Sequence, residues 1–139
     1  MTLSCFAANL RRAERAVHRL YAEEIRKGGL EPTQFSLLAV LRGGGELSQG
    51  ELAAGLAIDS TTLTRTLAHL RRRGLVEARP GVDRRRRLYQ LTPAGTNALT
   101  RTHEHWSRAQ RRLRTAVGEA AWKSVPRDLV EVTRAAESA

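Results

Sequence analysis

The chain is poor in cysteine, lysine and aromatic side chains, and each shortage narrows what it can be. A single cysteine, Cys5, excludes a disulfide within the chain and makes a reducing cytoplasm the expected setting. Aromatic residues make up 4% of a chain that is 41% hydrophobic, so the core must be built from Leu, Val and Ala. No window approaches the roughly 18 apolar residues of a membrane span. The start of the chain lacks the basic-then-apolar pattern of a secretory signal. There is no internal repeat, and the glycine run Gly43-Gly44-Gly45 is too short to act as a linker between domains. His103 and His105 are two apart, which splays them on a helix, and no compact ligand cluster gathers, so neither metal nor cofactor is expected. No Ser/His/Asp grouping, phosphate-binding glycine loop or acid/base carboxylate pair stands out, so the sequence does not read as an enzyme.

What the chain has is positive charge. Lysine plus arginine number 24 against 14 acidic residues in 139, a net charge of +10, and all but Lys27 and Lys123 are arginine. Such a balance suits a polyanionic partner, usually nucleic acid and less often an anionic membrane. Charge alone also leaves open a merely solvated, arginine-rich surface.

Apolar spacing then orders the chain. Leu3, Phe6, Leu10, Ala13, Val17 and Tyr21 recur every three or four residues, which predicts a helix over 4–27 ended by Gly28-Gly29. A second helix starts near Pro32, carries Phe35, Leu38 and Leu41, and stops at the glycine triplet. Ser48-Gln49-Gly50-Glu51 is a capping-box pattern, so a short helix opens there and buries Leu52, Ala53 and Leu56. After the turn Ala57-Ile58, Asp59 is a good N-cap for a helix running to about Arg73. Leu63, Leu67 and Leu70 share its inner side. Thr61, Thr64, Arg65, Ala68 and Arg72 share the outer side, where small side chains would let the backbone sit deep in a DNA major groove.

The next residues decide how that helix is used. Leu75–Arg79 and Arg87–Leu91 read as paired strands, and 80–86 (Pro-Gly-Val-Asp-Arg-Arg-Arg) as the loop between them. Two short helices, a turn and a basic hairpin make a winged helix-turn-helix. Its second helix enters the major groove and its hairpin reaches the adjacent minor groove. An arginine in a narrow minor groove reads shape more than sequence. Asp83 is close enough in sequence to hold one guanidinium of the Arg84–Arg87 run in a fixed direction. The fold class is thus mainly α with a small β-hairpin wing.

Residues 47–95, "LSQGELAAGLAIDSTTLTRTLAHLRRRGLVEARPGVDRRRRLYQLTPAG", resemble the MarR family of bacterial transcription regulators. The matching wing signature is Asp83, Arg84 and Arg85, followed by a strand ending in Leu91-Thr92-Pro93-Ala94-Gly95. The layout of the whole chain is similar too. The resemblance implies a homodimer on a pseudo-palindromic operator in double-stranded DNA. It makes Arg85 the minor-groove arginine, Asp83 its orienting partner and Arg84 and Arg86 their DNA-facing neighbours. Ser60, Thr61, Thr62, Thr64 and Arg65 become the groove-facing set. Residues 31–92 are then the DNA-binding domain, and 1–30 with 93–139 the helical dimerisation region.

The flanking helices support a dimer independently. Thr92-Pro93 can open a helix to Val117, with Leu99, His103, Trp106, Gln110, Leu113 and Val117 in one stripe. Trp122, Val125, Leu129, Val132 and Ala136 form another, and Pro126 is expected to kink or split that helix. Such stripes need burial, against a partner subunit or against each other.

Two sites for signals follow from the resemblance. Some family members sense hydroperoxides through a cysteine near the start of the first helix. Cys5 stands there, close to Arg11 and Arg12, a setting that favours a reactive thiol. The tyrosines that accompany such a cysteine are here Asn9 and Arg19, which favours instead a small apolar residue at the dimer interface. Many members release DNA when a small aromatic or phenolic anion enters a cleft beside the dimer helices. His18, Tyr21, His69 and Trp106 are candidate lining residues, while Phe35 reads as core. The expected function is a cytoplasmic, ligand- or redox-responsive repressor. The alternative is a sequence-independent architectural or RNA-associated binder, whose affinity would rest on phosphate contacts.

Overall fold

In the computed structural model, which describes residues 4–139, the chain runs α1 (Phe6–Ile25), α2 (Pro32–Gly44), β1 (Leu47–Ser48), α3 (Gln49–Leu56), α4 (Ser60–Arg72), β2 (Val76–Pro80), β3 (Arg87–Leu91) and α5 (Pro93–Ser138). Leu3 lies outside the described residues. The first helix closes through a 3-10 turn, Arg26–Gly28, and Gly29 at a φ of 89°, a left-handed conformation that glycine adopts without side-chain strain. Pro32 occupies the first turn of α2. The cap there is reciprocal: the Glu31 side chain takes the Gln34 amide while Gln34 Oε1 accepts the Glu31 N–H at 3.0 Å.

The wing is a three-stranded antiparallel sheet in the order β1-β3-β2. β2 and β3 pair from Val76↔Leu91 to Pro80↔Arg87. The third strand, β1, was not expected. It pairs Leu47 with Tyr89 and Ser48 with Leu88, so Ser48 both ends a strand and caps α3. Two residues are too few to show the alternation by which a strand is recognised.

The core is mostly leucine, drawn from α2, α3, α4, the sheet and the start of α5. Leu63, Leu67 and Leu70 are buried as the spacing predicts; of the three apolar residues expected under α3, Leu52 is fully buried and Ala53 and Leu56 are partly so. Gly95 explains the close of the wing signature. It is buried where α5 crosses the base of the hairpin, and a Cβ there would collide with the Leu75 carbonyl oxygen. Thr102 makes a second close crossing. Its fully buried hydroxyl lies 3.1 Å from the Gly28 carbonyl and 2.8 Å from that of Ala98.

Outside this lobe the chain is arm-like. α1 buries only Ala22, Glu24 and Ile25, and α5 buries nothing beyond Ala109. The arms meet at Glu24, which accepts from Lys27 at 3.1 Å and from Arg112 at 2.8 Å. The helix was expected to end at Val117, and the break in α5 falls there, at Gly118, whose φ of 82° and ψ of 162° are non-helical. The further break expected at Pro126 is corrected, because Pro126 stays inside a helical run. A proline removes one helical hydrogen bond, while the glycine at 118 takes up a backbone conformation that ends the helix outright.

Candidate nucleic-acid interface

The two short helices are fixed by their caps. Ser48 Oγ accepts the Glu51 amide at 3.3 Å, and Glu51 Oε2 accepts the Ser48 amide at 2.7 Å. These bonds, first that from the Ser48 backbone, hold the Glu51 carboxyl below its usual range. Asp59 caps α4 by accepting the Thr62 amide at 2.8 Å and the Thr62 hydroxyl at 2.7 Å. The Thr62 hydroxyl leads the causes that lower the Asp59 pKa. Each helix start thus has at least one of its orphan amides met by a side chain, Glu51 N–H by Ser48 and Thr62 N–H by Asp59.

The Asp59 cap engages a residue of the expected groove-facing set: Thr62 is half-buried and gives its hydroxyl proton to Asp59. Ser60, Thr61, Thr64, Arg65 and Ala68 do share a shallow depression on the outer side of α4, and Thr61, Thr64 and Arg65 are exposed. Sequence reasoning missed Gln49. It heads α3, and its Nε2 donates to Thr64 Oγ1 at 2.7 Å. A polar residue at the first position of the first reader helix was the available signal.

The hairpin tip is held by its own backbone. Gly81 N–H donates to the Arg86 carbonyl at 2.7 Å, and Arg86 N–H to that of Asp83 at 2.9 Å. Asp83 orients Arg85 through the backbone: its Oδ1 accepts the Arg85 N–H at 3.1 Å. It pairs with no guanidinium among the described residues, because a carboxylate two residues away in a tight turn meets the amide first. Arg84, Arg85, Arg86 and Arg87 are exposed, and none is ion-paired among the described residues. Three of them, Arg85 to Arg87, line a polar cleft of about 620 Å³ with Ser48, Gln49 and Glu51. An ion pair between Arg79 of β2 and Glu46 ties the wing to the end of α2. Both residues went unremarked in the sequence because they are 33 positions apart.

A second, apolar cleft of about 750 Å³ lies between the arms and α2. His18, Tyr21, Phe35 and Trp106 meet there, with Val125 and Leu129 on the far wall. Phe35 stacks on Trp106 at 6.2 Å, and His103 stacks on the same indole at 5.1 Å. Burial raises the Tyr21 phenol pKa, and its hydroxyl donates to Gln110 Oε1 at 2.7 Å. His69 does not join them. It faces a separate depression with Arg26, Glu31, Gln34 and Arg73, because α4 turns it toward the link between α1 and α2 and away from α5. Arg73 Nη2 there donates to the Gly29 carbonyl at 3.1 Å. Cys5 is exposed at the head of α1 and makes no side-chain capping bond. Among the described residues no three His, Cys, Asp or Glu side chains gather as a metal site, and no helix is long and apolar enough to cross a membrane.

A two-helix reader, a three-stranded wing and long flanking helices define a winged helix-turn-helix protein with helical arms. The sequence profile of the MarR family matches residues 28–87. The chain is similar along its length to the M. tuberculosis transcriptional regulator MosR, solved in complex with DNA: 37% identity, a TM-score of 0.85, and coverage of 97% of this chain and 98% of that one. It is 32% identical over 83 residues to the Bacillus subtilis HTH-type transcriptional regulator YwoH, covering 60% of this chain and 61% of that protein. BpsR of Bordetella bronchiseptica, whose DNA binding is regulated by 6-hydroxynicotinic acid, shares the fold at 23% identity, with a TM-score of 0.87 over 94% of each chain. The chain spans about three fifths of the length of the curated relatives it matches. The chain belongs to the MarR family of transcriptional regulators.

Proposed function

We propose that the chain binds double-stranded DNA as a homodimer on a pseudo-palindromic operator and represses by covering a promoter. The observation that carries this reading is the surface of one lobe: the outer side of α4 and the exposed Arg84–Arg87 tip, none of whose four guanidiniums is in a salt bridge among the described residues. α4 supplies hydroxyls and Arg65 for base edges, and the tip supplies charge for phosphates and the minor groove. The dimer is supported by where large apolar side chains stay exposed. Among the described residues, seven of the eight, Phe6, Leu10, Val17, Val117, Val125, Leu129 and Val130, lie on α1 and α5. A second copy would cover them and set the two α4 helices about 34–36 Å apart, one turn of duplex.

The apolar cleft at His18, Tyr21 and Trp106 has the lining for a small aromatic ligand. Such a ligand acts only by binding better to a dimer whose reader helices are wrongly spaced. Exposed Cys5 is the alternative trigger, and a peroxide response that survives Cys5→Ser would remove it. The test of function is binding, at several salt concentrations, to DNA from upstream of the protein's own gene, to a duplex pool and to a shuffled control. A preference of about a thousandfold or more is expected of a specific regulator. Equal, salt-sensitive binding to every sequence would instead indicate a general nucleic-acid binder.

A further inference from the structure

We propose that Gln49 sets base preference without reading a base itself, by fixing the hydroxyl of Thr64 as a hydrogen-bond acceptor. The inference rests on the DNA-binding reading above. Thr64 stands exposed in the depression on the outer side of α4. A threonine hydroxyl has one proton and two acceptor positions. The proton is committed within the helix, donated to the Ser60 carbonyl at 2.8 Å. One acceptor position is filled from the neighbouring helix by Gln49 Nε2 at 2.7 Å. What remains for an incoming duplex is a single acceptor in a fixed direction.

That polarity has a chemical consequence. In the major groove the exocyclic amines of adenine and cytosine donate, while guanine O6 and N7 and thymine O4 accept. A locked acceptor therefore favours adenine or cytosine on the strand it faces and is repelled by guanine or thymine there. Without Gln49 the proton stays on the Ser60 carbonyl, but both acceptor positions are open, the outward acceptor no longer has one direction, and the preference for a single base position fades. Gln49 is thus a positioning residue. It also borders the cleft lined by Arg85, Arg86 and Arg87, so it sits between the two DNA-facing features of the lobe.

The test selects bound duplexes from a randomised pool with the wild-type chain, Gln49→Met, Thr64→Val and the double variant. The wild-type chain is expected to prefer adenine or cytosine at one base pair of each half-site by about tenfold. Thr64→Val, which keeps the shape and loses the hydroxyl, should flatten that position. Gln49→Met should flatten the same position, leave the others alone, and add nothing in the Thr64→Val background. Gln49→Asn, whose amide is too short to reach Thr64, should behave as Gln49→Met does and guards against a variant that folds poorly. An unchanged preference in Gln49→Met and Gln49→Asn overturns the inference. So does a uniform loss across sequences, a change at a different base pair, or additivity in the double variant. A wild-type chain with no preference anywhere overturns the regulator reading itself, a result distinct from these.

Discussion

The lobe and the arms solve opposite problems with the same few residue types. From α2 to the start of α5, leucines meet each other inside and arginines face out. Along α1 and the outer half of α5, the apolar residues themselves face out: Phe6 is 66% exposed and Val130 50%. A lone apolar side chain on a surface needs no explanation, but two long helices with several each do. The lobe has a finished core and carries the Arg84–Arg87 run at the tip of its wing. The arms hold ion pairs, Glu24 with Lys27 and Arg112 and Arg114 with Glu119, and leave large apolar side chains exposed. On the proposed function, one region would meet a polyanion and the other a second copy of the chain.

The sharpest way to break this contrast is to charge the arms. Leu129→Glu places a carboxylate on the exposed apolar wall of the arm cleft. We expect a folded monomer by analytical ultracentrifugation and a loss of operator affinity of about a hundredfold or more, since two linked half-site contacts become one. A variant that remains dimeric would remove this face from the interface. Next in size is the wing. Arg85→Ala should weaken operator binding about tenfold and lower the slope of log affinity against log salt by about one. Titrations at several salt concentrations would show it, and unchanged binding would detach the wing tip from DNA.

A smaller effect tests the clamp between the arms. Glu24 is buried, and its hydrogen bond from Lys27, followed by that from Arg112, holds its pKa below the ordinary carboxylate range. A depressed pKa means that the unfolded chain binds the proton more readily. Its contribution is therefore present above the ordinary carboxylate pKa and is lost as the pH falls through the lowered folded value. Melting temperatures followed downward from about pH 6 should fall faster for the wild-type chain than for Glu24→Gln, which cannot titrate. Parallel curves would show that the clamp contributes nothing to stability.

How much of this was legible follows from how far apart the cooperating residues lie. The caps Ser48–Glu51 and Asp59, the leucine spacing of α4 and the Asp83-to-Gly95 pattern are local, and each can be read within a few residues. The contacts missed are long-range: Arg79 with Glu46, Arg73 with Gly29, and Gln49 with Thr64. Thr62, placed in the groove-facing set by the family resemblance, gives its hydroxyl proton to Asp59. The helix from Thr92 was read to end at Val117, and Gly118 does break it there, but the kink expected at Pro126 does not appear. His69 was assigned by residue type to a cleft that its place on α4 does not reach.

Thr92 sits where the two regions join, and it offers the finest test of whether they are separate at all. Its hydroxyl donates to the Gly74 carbonyl at 2.6 Å, behind the reader helix, and accepts the Gly95 amide at 3.0 Å, in the first turn of α5. Its own amide donates to the Leu75 carbonyl at 3.2 Å. One side chain thus caps the long helix and fastens it to the lobe. Thr92→Ala should cost about 1 kcal/mol, as loss of an N-cap does, and lower the melting temperature by about 3–5 °C for a domain of this size. If the lobe and the base of α5 fold as one unit, the single transition shifts and keeps its steepness. If the seam is weak, the same variant splits the transition in two, with the wing and reader helices melting apart from the arms. The buried Gly95 against Leu75 and the buried Thr102 against Gly28 argue for one unit. In that case a change of spacing in the arms is carried to α4 through a rigid joint.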